Sequence, residues 1–454
     1  MRALQSDFLY IYNFREFLMN RLLLLSLSVL FTLSSQAQFW NEVDSDFPTE
    51  STGISRFTIV DENVAWGIGY NGINPNNNIQ QFSRTTDAGL TWNAGIIAVG
   101  NTNLGIGDIA AIDDQVAFIA VYPRIADQQG GIWKTEDGGA SWNKASQTAF
   151  SSANSFANTI HFFDANNGVV TGDPINGNWE IYITTDGGTN FTQVATANIP
   201  APQNNETGYL AQNTASGDSI WFTTSAGRVF HSANRGLNWN VYQSPISDFG
   251  GEDISGDLSF ANGSKGILQT NAGAIYSTTN SGQTWTEIVT SGTAGPYGDN
   301  IAYIPSSSLI VSVGSDPNFQ GSSYSTNDGL TWTNIDNVQH VDVAFLNQNT
   351  GYSGGFTNNE DTSGVFKYAG DVLSAGDEFA FAKAISLYPN PTKNQIHIYG
   401  AGVINKVELF NLSGQSLRVF QPLNDLSLDD LPTGTYLLKI TTPQGSESLP
   451  VLKN

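Results

Sequence analysis

Thr85-Thr86-Asp87-Ala88-Gly89-Leu90-Thr91-Trp92 is the stretch on which the fold of this chain turns. The phrase returns five more times, ending at Trp142, Phe191, Trp239, Trp285 and Trp332, at steps of 50, 49, 48, 46 and 47 residues. A period of that size marks one supersecondary unit that buries its apolar face only against copies of itself. Short apolar runs lead into the phrase, such as Gly131-Ile132-Trp133-Lys134 and Gly227-Arg228-Val229-Phe230. Earlier in the unit, Ile160-His161-Phe162-Phe163 and Gly168-Val169-Val170 flank the polar turn Asp164-Ala165-Asn166-Asn167. Four short strands per unit is the signature of a propeller blade.

The blade count follows from the two ends. Gly364-Val365-Phe366-Lys367-Tyr368 reads as the third strand of a further blade, yet no copy of the phrase follows it. Phe39-Trp40-Asn41-Glu42-Val43 reads as a fourth strand, much like Thr284-Trp285-Thr286-Glu287-Ile288, and Trp40 precedes Trp92 by 52 residues. An all-β fold is therefore expected, a seven-bladed β-propeller over residues 38–370 whose N-terminal strand completes the last blade. Closure removes the free sheet edges that an open solenoid, the competing arrangement, would leave exposed.

The phrase resembles the Asp-box, the bacterial neuraminidase repeat, with pattern Ser/Thr-x-Asp-x-Gly-x-Thr-Trp. Two copies match fully (Asp87, Gly89, Trp92; Asp137, Gly139, Trp142), and the third keeps Asp186 and Gly188 but has Asn190-Phe191. The last three carry Asn234, Asn280 and Asn327 at the Asp position. A short acceptor there caps backbone N–H groups, glycine supplies positive φ, and the aromatic packs sideways into the next unit. Asn caps as Asp does but is a poorer ligand for a hard cation. The alternation points to structural turns and to no metal site, and no cofactor is expected.

The chain has 454 residues, no cysteine, 18 basic and 41 acidic side chains, and a net charge of −23. That balance argues against nucleic acid as a partner, because phosphate binding requires a basic surface, and against anionic membranes for the same reason. Arg21 precedes the apolar run Leu22 to Leu33, and Ser34-Ser35-Gln36-Ala37 offers small-x-small cleavage before Gln38. This reads as an export signal, and a 12-residue run is too short to span a membrane. Residues 1–37 are thus an upstream extension plus signal, with Met19 competing with Met1 as the true start. No other segment is expected to cross a membrane.

From residue 385 the texture changes. Ile385-Ser386-Leu387-Tyr388-Pro389-Asn390-Pro391 opens a module continued by Val407-Glu408-Leu409-Phe410-Asn411-Leu412-Ser413-Gly414-Gln415 and Leu431-Pro432-Thr433-Gly434-Thr435-Tyr436-Leu437-Leu438-Lys439-Ile440. Alternating strands broken by Pro, Gly and Asn indicate a small β-sandwich over 385–454, after a linker at 371–384. These phrases resemble the type A sorting domain of the type IX secretion system. The resemblance implies export through the periplasm, recognition of residues 385–454 by the secretion machinery and a surface sortase, and a secreted or outer-membrane surface location.

Within a blade, the turn between strands 1 and 2 and the turn between strands 3 and 4 share one face, which the boxes crowd. The long loops 143–158, 196–208, 243–256 and 290–299 emerge on the other, where binding is expected. Aligning the first strands places Arg56, Asp108, Thr159, Asp257, Asn300 and Asp342 around the channel, with Gly208 standing near this place in the fourth blade. Two readings stay open: Arg56, Asp108, Asp257 and Asp342 hold a polar ligand, or they cap neighbouring strand ends. Tyr70, Tyr122, Trp179, Tyr297, Phe319 and Phe356 are aromatics expected on that loop face, Tyr122 and Trp179 being the candidates for stacking on a ligand. The acidic run Asp248 to Asp257 lacks the alternating ligand spacing of a calcium loop.

Asp-box propellers include sialidases and xyloglucan-type endoglucanases. The propeller has five arginines, Arg56, Arg84, Arg124, Arg228 and Arg235, of which three lead into boxes, and this argues against a sialidase arginine triad. A glycoside hydrolase would draw its two carboxylates from Asp108, Asp257 and Asp342. His161, His231 and His340 are widely separated and suggest neither metal cluster nor triad. The repeats equally resemble the propellers of sortilin-like receptors and photosystem II assembly factors, which bind without catalysis. The expectation is an exported propeller that binds a glycan or protein partner, with a secreted glycoside hydrolase as the alternative.

Overall fold

The computed structural model describes residues 38–454 except 75, 292–293, 359–362, 371–385, 400–403, 412–413, 421–424 and 443–444. The expected upstream extension and export signal, and the linker at 371–384, lie outside the described residues.

Strands flanked by sheets on both sides need both faces apolar or small, and the second strands of the blades show it. Ser219–Thr224, Gly266–Thr270 and Ile310–Gly314 are buried along their whole length. Seven four-stranded antiparallel sheets follow one another in chain order. Their innermost strands are Thr52–Ile59, Leu104–Ala111, Ala157–Phe162, Gly208–Ser216, Gly256–Phe260, Asn300–Tyr303 and Val343–Phe345. Each touches the innermost strand of the next blade, and Val343–Phe345 returns to Thr52–Ile59, so the ring is closed.

The seventh blade closes as the sequence suggested. Trp40–Asp44 pairs antiparallel with Gly364–Tyr368, setting Trp40 opposite Tyr368 and Asp44 opposite Gly364. Trp40 is 4% exposed, and its Nε1 donates to Ser322 Oγ of the sixth blade at 3.0 Å. Phe39 stacks on Tyr324 with ring centroids 5.5 Å apart. The Ala369 amide donates to the Phe39 carbonyl at 3.0 Å, so both ends of the ring leave on the box face.

The six box turns make one repeated set of bonds. Asp87 Oδ1 accepts from the Leu90 and Thr91 amides at 3.0 and 2.9 Å, and Thr85 Oγ1 accepts from the Gly89 amide at 2.9 Å. Asn234 accepts from the Asn238 amide, Asn280 from Thr284 and Asn327 from Thr331, at 2.9 to 3.0 Å. Each turn also docks on the strand 1–2 turn of its own blade, through Ala88 to Asn63, Gly138 to Gln115, Gly187 to Asn166, Arg235 to Asp218, Ser281 to Ser264 and Asp328 to Ser308.

The box aromatic packs into the preceding blade, not the next one. Trp92 meets Tyr352 of the seventh blade at 5.3 Å, Trp142 meets Phe82 of the first at 6.1 Å and Phe191 meets Phe118 of the second at 6.4 Å. The reason lies in the turn: Gly139, at φ +91°, lies so close to Phe82 that a side chain there would collide with the ring.

A second correction concerns the fourth blade. Gly208 pairs with Thr224 and Asn213 with Phe222, so five steps along one strand match two along the other. Residues 209–212 bulge out, Ala211 adopts φ +54°, and Asn213 rather than Gly208 takes the channel position.

The C-terminal strands form a three-stranded sheet (Ser386–Tyr388, Gln395–Tyr399, Asp425–Ser427) and a four-stranded one (Lys406–Phe410, Ser416–Phe420, Gly434–Thr442, Gly445–Lys453). Ile396, Ile398, Leu426, Val407, Leu409, Leu438, Ile440 and Val451 pack between them as one core.

Candidate ligand site in the propeller channel

At the aligned position of the inner strands, four side chains reach sideways to the next blade. Asp108 Oδ2 accepts from the Ile160 amide at 2.9 Å, Asp257 Oδ2 from Ile301 at 3.1 Å, Asn300 Oδ1 from Val343 at 3.2 Å, and Asp342 Oδ2 from Phe57 at 2.8 Å. In each case the donor is the residue just after the equivalent position in the next blade. These four clamps satisfy inner-strand amides that would otherwise be lost inside the ring.

Arg56 and Asn213 occupy the same position but bond across the channel. Arg56 Nη2 donates to Asn213 Oδ1 at 2.6 Å and to its carbonyl at 3.1 Å. Arg56 Nε stands 3.3 Å from Asp108 Oδ1, and Asn213 Nδ2 donates to Asp108 Oδ2 at 2.7 Å. Burial alone would lower the Arg56 pKa, but Asp108, Asp342 and Asp257 outweigh it and hold the guanidinium firmly charged. Burial pushes Asp257 up to about 7 and Asp342 up to about 6, with Arg56 pulling both back.

Two cavities of about 270 and 260 Å³ share Arg56, Thr58, His161 and Asn213 in their walls. The first runs out along Val60, Ile112, Phe163 and Asp164, and the second along Tyr303, Pro305 and Phe345. These residues lead to the strand 1–2 turns, so the cavities lie toward the box face and not toward the loop face. On the loop side the bulge intervenes: Leu210 Cδ2 would stand 2.9 Å from a Cβ at Gly107, across the ring in the second blade. Burial, and then the Arg56 charge, hold His161 down at about 4, so its ring is neutral.

The aromatic candidates divide. Trp179 is 2% exposed and packs edge-on against Phe222 and Phe230 at 5.3 and 5.1 Å. It is a core residue between the third and fourth blades, with no face for a ligand. Tyr122 is half-buried against Phe156 at 5.0 Å, and Tyr297 is buried with its hydroxyl on Asn334 at 2.7 Å. Phe319 remains exposed. In the acidic run, Asp248 caps the Gly250 amide at 3.0 Å and accepts the Tyr209 hydroxyl. His231 stacks on Trp221 at 4.6 Å, and His340 bonds Ser353 Oγ at 2.9 Å. Among the described residues no three His, Cys, Asp or Glu side chains are placed to share a metal ion.

Sequence reasoning missed Asn213 and the channel-lining role of His161. The bulge displaces Asn213 from the repeat register, so no fixed spacing marks it; His161 sits two residues past Thr159 on its strand, where alternation alone assigns it to packing.

Comparison with known proteins fits this architecture. Residues 386–452 match the secretion system C-terminal sorting domain, and residues 160–336 match the photosynthesis system II assembly factor YCF48. A solved structure of YCF48 bound to D1 peptide superposes with a TM-score of 0.52 at 15% identity, covering 74% of this chain and 98% of that one. YCF48 from Cyanidioschyzon merolae gives 0.50 at 14% identity, covering 72% and 98%. No curated protein sequence matches the chain. The chain thus carries a propeller of the YCF48 repeat type followed by a type IX sorting tail, which marks it as exported, secreted or held at the cell surface. Among the described residues no helix is long and apolar enough to cross a membrane.

Proposed function

We propose that this exported propeller binds a segment of a polypeptide partner and is not a glycoside hydrolase. The observation that carries the reading is the use made of the three candidate acids. Asp108, Asp257 and Asp342 each hold a backbone amide of the next blade, and Asp108 is also tied to Arg56 and Asn213. A hydrolase requires one carboxyl free to donate a proton and a second free to attack or to activate water. Groups committed to holding the ring together are poorly placed for either task. YCF48, of similar fold, has been captured with a peptide, and a peptide partner is the corresponding reading here, ahead of a glycan.

The test is a displayed random-peptide library selected on the full secreted chain, beside a glycan array and a hydrolysis screen on plant and mucin polysaccharides. Selection of peptides with a shared motif supports the proposal. Binding of glycans alone overturns the polypeptide reading. Turnover lost in Asp108→Asn, Asp257→Asn or Asp342→Asn establishes the hydrolase instead.

A further inference from the structure

We infer that the channel recess binds a cationic group, an ammonium or guanidinium, which on the reading just given is a lysine or arginine side chain of the partner. The site lies where the two cavities adjoin. Arg56 and Asn213 line both, Asp108 stands behind them, Leu210 approaches Gly107 on the loop side, and the walls run out to the box face at Val60, Ile112, Asp164 and Pro305.

Its charge does not balance. Arg56 is the one Lys or Arg side chain among the residues that line the two cavities, and Asp108 stands against it at 3.3 Å. His161 is neutral. The charges of Asp257, in the wall, and Asp342, next to the wall residue Val343, are left over. The clamps do not need those charges, because Asn300 makes the same clamp with a neutral amide, accepting from Val343 at 3.2 Å. Two carboxylates stand where two amides would hold the blades equally well. Low-dielectric walls focus such a surplus on whatever enters the recess. Burial raises the pKa of both carboxyls even though Arg56, shared with Asp108, pulls them back, and an entering cation would lower them further and expel protons. Ile59, Val60, Ile112 and Phe345 supply apolar wall for the aliphatic stem of a lysine or arginine.

The experiment is calorimetric titration of the full secreted chain with n-butylguanidinium and with its neutral isostere n-butylurea, in two buffers of different ionisation enthalpy. The expected result is binding of the guanidinium with proton release, a tenfold or greater loss in the Asp257→Asn/Asp342→Asn double variant with its melting transition kept, and no change in the loop-face variant Asp253→Asn. Equal binding of guanidinium and urea, or undiminished guanidinium binding in the double variant, overturns the inference. Library peptides that bind the double variant as well as the parent would also overturn it while leaving the peptide-binding proposal standing. Guanidinium binding with no peptide selected would leave the recess and remove that proposal.

Discussion

Asp342 Oδ2 accepts the Phe57 amide at 2.8 Å, so a side chain of the last blade holds the innermost strand of the first. Asp342 is 3% exposed, and removing its acceptor leaves a buried N–H without a partner. Asp342→Ala is therefore expected to cost about 1–3 kcal/mol. Asp342→Asn should cost far less, since Asn300 serves the same purpose on Val343. Urea unfolding of the two variants checks this; equal losses would mean that the acceptor is not what matters.

The pH dependence follows from Asp257. Its folded pKa of about 7 lies above the ordinary carboxyl value, so near neutrality the folded state binds more protons than the unfolded state. Stability then falls as pH rises through the folded pKa. His161 and His231, held near 4 by burial, act in the opposite sense in the same window, because an unfolded histidine is still shedding protons up to about pH 7.5. Between pH 6.5 and 8 Asp257 alone should remove about 1 kcal/mol and the two histidines return nearly as much, so the parent should stay close to level while Asp257→Asn should gain about 1 kcal/mol across the window. Melting curves across that window decide the point, and an unchanged slope in the variant would refute it.

In the first box, Asp87→Asn is expected to change stability by less than about 0.5 kcal/mol, because Asn280 and Asn327 reproduce both halves of the turn. Their Oδ1 atoms accept the amides, and their Nδ2 atoms reach Thr284 and Thr331 hydroxyls at 2.9 and 3.0 Å. Asp87→Ala strands those donors and should cost about 1–2 kcal/mol. Adding a chelator should leave the melting temperature unchanged; a drop would make the boxes metal sites after all.

What the sequence made legible was whatever repeats. The box period exposed the blades, and the isolated strand at Trp40 supplied the missing seventh outer strand because its tryptophan kept the period. The channel position was legible at Asp108, Asp257, Asn300 and Asp342, although the strand at Asp108 carries a register shift just before it. That those side chains clamp the next blade was not legible, because a clamp and a ligand contact call for the same residue types, and only the distances to Ile160, Ile301, Val343 and Phe57 show the clamp. Asn213 stayed hidden because a bulge shifts the register of its strand while the box period continues unchanged. Trp179 misled because strand alternation does not say whether the neighbouring blade covers a face.

The ring latch gives the largest expected effect. Trp40 fills the place of a box tryptophan, packing with Val311 and Val313 of the sixth blade and donating to Ser322. Trp40→Ala removes a buried aromatic and leaves a cavity at the junction where the two ends of the ring meet without a covalent link. The expected loss is about 3–5 kcal/mol. Removing residues 39–44 goes further, for it bares the edge of Gly364–Tyr368, whose backbone groups pair with Trp40–Asp44 in the intact protein. An unpaired edge of that kind recruits another chain. The shortened protein should therefore elute as dimers or larger species, and a synthetic peptide of residues 38–45 should return it to monomer. A monomeric, fully stable deletion variant would show that the seventh blade does not depend on its N-terminal strand.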